Sequence, residues 1–220
     1  MIDLHTHSFF SDGELLPSEL IRRAEVLGYQ AIAITDHADF SNLDWILPRV
    51  AQICQELNQR WSIRSIPGIE LTHTPPECFA SLCDQARKLG AKLVVAHGET
   101  IVEPVCPGTN RKAIEAGVDI LAHPGLISEE EVLLARDHGV LLEISARPGH
   151  SFANGHLARL AKKVNAPLVL NTDAHSPCDL LSREKALKVV LGAGLESQDF
   201  TRMQENARQI LSRISRSGMP

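Results

Sequence analysis

Seven short runs rich in Val, Ile, Leu and Ala punctuate this 220-residue chain, at residues 2–4, 31–35, 63–69, 92–96, 118–122, 140–144 and 167–171. Their length and nearly unbroken apolar character suit parallel strands buried on both faces. Amphipathic stretches at 18–27, 43–58, 77–89, 129–138, 155–163 and 183–191 lie between them and read as helices. Gly28, Gly90, Gly139 and Gly192 stand where helix stops are expected.

Such alternation gives a parallel sheet with right-handed crossovers, which leaves an open doubly wound sheet or a closed barrel. An open sheet gathers its ligand groups at one switch point, whereas here a metal-type side chain follows nearly every run. The expectation is one α/β domain over residues 1–220, a seven-stranded TIM-like (β/α)7 barrel. Residues 198–215 read as a terminal helix packed on the outside, with residues 216–220 fraying beyond it.

The formal charge of −5, with acids and bases mixed along the chain, gives no broad cationic surface for long nucleic acid, while a small anionic substrate is allowed. Cys54, Cys78, Cys83, Cys106 and Cys178 are odd in number and form no C-x-x-C pair, which indicates neither a disulfide framework nor a thiolate zinc site. With no leader-like start at Met1 and no apolar run long enough for a bilayer, a cytoplasmic protein is expected.

His5-Thr6-His7 leaves the first run, and residues two apart in an extended segment share a face, so both imidazoles can reach one ion. H-x-H alone is common. The repetition is not: Asp36-His37, Glu70, His97, His123, and Asp173 with His175 follow later runs, and six of the ten histidines fall in these places. Side chains at strand ends converge on one mouth of a barrel, which points to a multi-metal hydrolytic site.

The ordered series H-x-H, Ser11-Asp12-Gly13, T-D-H, G-I-E, A-H-G, A-H-P-G and T-D-A-H resembles the PHP family, named for polymerase and histidinol phosphatase domains, from Asp3 to His175. The resemblance implies a distorted seven-stranded barrel with up to three divalent metal ions of zinc, manganese or iron type. It implies one ion on His5, His7, Glu70 and Asp173, with Glu70 bridging to a second on His97 and His123, and a third on Asp12, His37 and His175. Three such ions, less three carboxylates and a bridging hydroxide, leave a charge of about +2, which a phosphate monoester dianion balances. The expected chemistry is in-line attack on phosphorus by a metal-bridging hydroxide, with Glu70, Asp173 and His175 as catalytic groups. Proton delivery to the leaving alkoxide stays open between His175, His150 and a metal-bound water.

The segment after the sixth run supplies substrate contacts in this reading. Arg147 can fork two phosphate oxygens or pair with Glu143, and Glu143 can orient a ligating histidine. His150, Ser151 and Asn154 are further candidates, with His156 beside them; Glu99 and Arg111 have no spacing argument. His138 reads as a helix C-terminal charge and His73 as part of an ordinary turn. The leading expectation is a phosphatase for a small phosphomonoester, histidinol-phosphatase-like. A nucleotide phosphatase or exonuclease-type phosphodiesterase is the alternative, ahead of an amidohydrolase-type enzyme, which would want a lysine after the fourth run, and of a non-catalytic module.

Overall fold

The computed structural model describes residues 1–216. Its strands are β1 Ile2–Asp3, β2 Ala31–Ile34, β3 His37–Ala38, β4 Arg64–Leu71, β5 Leu93–His97, β6 Ile120–Ala122, β7 Leu141–Ser145 and β8 Leu168–Asn171. The helices are α1 Pro17–Val26, α2 Leu43–Asn58, α3 Phe79–Lys88, α4 Thr109–Glu115, α5 Glu129–His138, α6 Asn154–Val164, α7 Arg183–Gly192 and α8 Ser197–Arg216. All pairings are parallel in the order β1-β2-β4-β5-β6-β7-β8, and the two-residue β3 adds only a second pairing to β4. Between the outermost strands, Thr6 bridges Ala174, with Asp173 N–H donating to His5 O at 2.9 Å and His7 N–H to Ala174 O at 2.8 Å. The result is the expected α/β TIM-like barrel, nearly closed.

Strand periodicity sorts the side chains. Ala31, Ala33, Ile66, Leu93, Val95, Ile120, Leu141 and Val169 form the cluster inside the barrel, while the alternate residues Ile32, Ile34, Val94, Leu121, Leu142 and Leu170 join the layer shared with the helices. Two-sided burial explains why the runs are apolar throughout; each buried Val, Leu or Ile side chain contributes roughly 1.5–3 kcal/mol.

Helix α8 departs from expectation. Ala207, Ile210 and Ile214 belong to the interior cluster, and Gln204 accepts from Ile2 N–H at 2.8 Å while its amide donates to Ile2 O. Thus α8 lies across the amino-terminal ends of the strands as a floor, because the barrel interior exposes apolar residues there that only an amphipathic helix can cover. Arg216 lies in this helix, and the remainder of the expected frayed tail lies outside the described residues. The short α4 was not anticipated, since seven residues carry too few turns for a periodic signal. Gly28, Gly90 and Gly139 take left-handed backbone at helix ends; Gly192 stays helical and Gly194 makes that turn. No helix among the described residues is long and apolar enough to cross a membrane. The five cysteines are unpaired.

Candidate metal centre

The alternation that fills the barrel also aims the site. Inward positions continue from Ala33 to Thr35 and His37, from Ile66 to Glu70, from Val95 to His97, from Leu141 to Glu143, and from Val169 to Asp173. His123 breaks this parity, since Ala122 is already inward; a φ of 28° at His123 redirects it to the mouth. Asp173 has a φ of 52° and His73 one of 50°. Left-handed backbone at a non-glycine residue is uncommon and costs energy; the one other such residue among those described, Asn165, caps the end of α6.

Two glycines permit the close approaches involved. A Cβ on Gly125, whose φ is 61°, would collide with the Glu99 carbonyl oxygen, and one on Gly13 would collide with the His7 carbonyl oxygen. The first lets the loops after β5 and β6 cross, and the second folds Ser11-Asp12-Gly13 back against H-x-H.

The nine expected ligands meet at one rim. His5 Nε2 lies 3.3 Å from Glu70 Oε1 and 3.7 Å from Asp173 Oδ1; His7 Nε2 lies 3.1 Å from Asp173 Oδ1. His123 Nε2 is 3.5 Å from Glu70 Oε1 and 3.8 Å from Asp173 Oδ2. Asp12 Oδ1 sits 3.2 Å from His175 Nε2 and 3.5 Å from His37 Nε2, and His37 Nδ1 is 2.6 Å from Glu70 Oε2. Donor atoms lie within 4.8 Å of one another in the groups His5–His7–Glu70, His5–His123–Asp173, His7–Asp12–His37–His175 and His97–His123–His150.

The groups overlap: His7 also reaches Asp12, His37 and His175, and His123 also reaches His5 and Asp173. His97 groups with His123 and His150, and its Nε2 lies 3.2 Å from Glu103 Oε2. Sequence reasoning missed Glu103, which sits in the loop between β5 and α4 with no periodic signal around it.

The donor set fits divalent cations. Among the described residues, eight buried side-chain polar atoms lack a hydrogen-bond partner, and six belong to His5, His7, Glu70, His123 and Asp173. Leaving such atoms unsatisfied costs about 1–3 kcal/mol each, a cost that shared cations would remove. Imidazole and carboxylate donors without thiolate suit zinc, manganese or iron.

Charge is arranged to match. Burial depresses the His5 imidazole, but Glu143, Glu70 and Asp173 outweigh it and hold its pKa well above the ordinary value. Burial, with His37 and His5 nearby, holds His7 well below. Burial pushes the Asp173 carboxyl up to about 7 against the pull of His5. Burial and the adjacent His123 and His97 bring His150 down to about 3, and the hydrogen bond from His97 brings Glu103 down to about 2.

Outside the ligands, Glu143 accepts from His5 Nδ1 at 2.8 Å and from the Asn171 amide at 2.8 Å, so it orients the first histidine. Arg147 faces the mouth instead of Glu143: its Nη1 lies 2.6 Å from His175 Nδ1 and 3.4 Å from Asp173 O. Asn154 is engaged by the backbone: Ser145 N–H donates to its Oδ1 and its amide donates to Ser145 O, which locks the turn after β7. Ser151 lies on the 3-10 turn His150–Ala153 and its N–H donates to Arg147 O. His156 contacts Ile127 O, Glu99 accepts from Gly108 and Asn110 N–H at the start of α4, and Arg111 pairs with Glu130, so each has a structural task. His138 contacts Leu134 O within its own helix. His73 is more than a turn residue, with Nε2 3.2 Å from Glu103 Oε2.

Fold and donors together define an α/β barrel protein with clustered, metal-type donors on the carboxyl rim of its sheet. The family model described as PHP domain matches residues 3–216, and the chain belongs to that family. It is 46% identical over 215 residues to the uncharacterized protein MJ1295 of Methanocaldococcus jannaschii, covering 96% of this chain and 99% of that protein. In fold it is similar to a chain of archaeal ribonuclease P solved with mature tRNA, with a TM-score of 0.73, 19% identity, and 98% and 91% of the two chains covered. It is likewise similar to histidinol phosphate phosphatase from Lactococcus lactis, solved with zinc, L-histidinol and phosphate, with a TM-score of 0.57, 21% identity, and 89% and 94% covered.

Proposed function

We propose that this protein is a metal-dependent phosphoesterase that hydrolyses a small phosphomonoester at a site for up to three divalent ions. The observation that carries the proposal is the convergence of unpartnered, buried imidazole and carboxylate atoms from His5, His7, Glu70, His123 and Asp173 on one mouth. Membership of the PHP family supports it, as does the Lactococcus lactis structure, whose bound zinc, L-histidinol and phosphate are the kinds of ligand proposed here.

His5, His7, Glu70 and Asp173 would hold one ion, Glu70 with His97 and His123 a second, and Asp12, His37 and His175 a third. Bound divalent ions supply a nucleophile at neutral pH and positive charge for phosphate oxygens. The chain's own residues do the rest. Glu143 fixes the His5 ring so that Nε2 faces the mouth. Arg147, half-buried beside Asp173 and His175, presents a planar fork to phosphate oxygens at the rim. Since Arg147 occupies His175 Nδ1, His175 could hand a proton to the leaving alkoxide only from Nε2, beside Asp12, and only where that nitrogen holds no ion.

Phosphate release from p-nitrophenyl phosphate, histidinol phosphate and mononucleotides by zinc- or manganese-loaded protein tests this function. Hydrolysis of at least one monoester, abolished by chelation, is expected. Amide or lactone hydrolysis without phosphate release would contradict it.

A further inference from the structure

The loop between β5 and α4 carries Glu103 over the mouth, where its carboxylate meets three imidazoles. Oε2 lies 3.2 Å from both His97 Nε2 and His73 Nε2, and Oε1 lies 3.4 Å from His150 Nε2. His150 comes from the turn after β7. Its ring stacks on His123 with centroids 4.1 Å apart and stands edge-on to His97 at 5.8 Å. One nitrogen each from His97, His123 and His150 lies within 4.8 Å of the others, a spacing at which three imidazoles can share an ion.

The orientation of His150 is fixed from outside. The buried Thr100 hydroxyl lies 2.8 Å from Nδ1, which leaves Nε2 as the nitrogen turned to His97, His123 and Glu103. Proteins orient ligating imidazoles in this way, with an outer partner on the second ring nitrogen. A loop histidine recruited only to touch substrate would need neither the burial nor the fixed ring.

Resting on the metal-dependent function proposed above, we infer that His150 and Glu103 complete the coordination of the second cation together with His97 and His123. Imidazole nitrogen and carboxylate oxygen are both donors that zinc accepts, at about 2.0–2.2 Å. The two added ligands differ in kind. His150 is buried and held by Thr100, whereas Glu103 is 36% exposed on a loop. Glu103 would therefore be the displaceable ligand, giving way to an anionic phosphate oxygen, with the exposed His73, 3.2 Å away, to hold the released carboxylate at the rim.

The test is titration of the metal-free full chain with Co2+, followed by bound metal per chain and by the visible absorption of the ion, for wild type, His150→Ala, His150→Gln and Glu103→Gln. His150→Ala is expected to weaken one equivalent by about 10-fold or more, and Glu103→Gln to change the spectrum of that same equivalent. Inorganic phosphate is expected to shift the wild-type spectrum toward that of Glu103→Gln. Should circular dichroism show His150→Ala unfolded, His150→Gln and the exposed Glu103→Gln decide. Wild-type Co2+ affinity and spectrum in every folded variant would overturn the assignment. Wild type that binds Co2+ through His150 yet releases no phosphate from any ester would leave this assignment standing and remove the phosphoesterase function; active wild type with unaffected variants would do the reverse.

Discussion

Glu143 Oε2 accepts a hydrogen bond from His5 Nδ1 at 2.8 Å, with both side chains fully buried. That contact spends one ring nitrogen and turns the other, unpartnered, toward Glu70 and Asp173. Glu143→Gln should therefore lower affinity for the tightest divalent ion by about 10- to 100-fold while leaving the fold intact. Chelator competition measures it, and unchanged affinity would show that Glu143 is only a buried structural acid.

Proton and metal compete for the same atoms. The His5 pKa is held well above its ordinary value and that of Asp173 is pushed to about 7, so near pH 7 the empty site carries a proton on His5 and, in about half of the molecules, one on Asp173. Metal must expel them, so apparent affinity should rise as pH increases and uptake should release about one to two protons near neutrality. For the metal-free fold the signs differ from those of an ordinary carboxylate. Raised His5 stabilises at low pH and loses that contribution as pH climbs through its folded pKa. Raised Asp173 costs stability progressively from its unfolded pKa near 4 to about 7. Calorimetry in buffers of different ionisation enthalpy counts the protons; uptake independent of pH between 5 and 8 would contradict this.

Loading the site should raise thermal stability, because a ligand that binds only the native state stabilises by mass action, about 2.7 kcal/mol at 100-fold excess over its Kd. Scanning calorimetry with and without chelator checks it. His5→Ala and Asp173→Ala should lose most of this metal-dependent increment.

Gly125→Ala should destabilise by about 3 kcal/mol or more, since the added methyl meets the Glu99 backbone at a φ of 61°. Urea denaturation reads the loss. Metal affinity should fall with it, because Gly125 sits two residues beyond His123.

At the opposite end of the barrel, Gln204→Ala removes both hydrogen bonds to Ile2 and should cost about 1–3 kcal/mol. Metal content should be unchanged in the folded protein. Loss of metal in that variant would show that floor and rim are coupled.

The fold was legible because parallel strands buried on both faces leave apolar runs, and the ligands were legible because each sits where a run ends. Glu70 and His97 follow directly from strand parity; His123 is found by position, yet its inward turn depends on a left-handed φ that no sequence pattern signals. The ligand partition was less legible. Glu103 and His150 meet through two loops 47 residues apart, and nothing local to either announces the contact. The structural task of Asn154 was hidden for the converse reason: in sequence it reads as a polar loop residue, and only the fold brings its amide to the Ser145 backbone. The role of α8 as floor depends on which face of an amphipathic helix meets the barrel, and periodicity gives the face without its partner.

The central claim is that side chains from His5 to His175 share cations at one rim. Anomalous scattering from crystals grown with zinc or manganese tests it most directly. The account predicts anomalous peaks within about 2.0–2.3 Å of His5, His7, His97, His123 and Asp173 donor atoms, with a further peak beside Asp12, His37 and His175. An ordered mouth with no peak among these residues, or peaks bound only elsewhere on the surface, would contradict it.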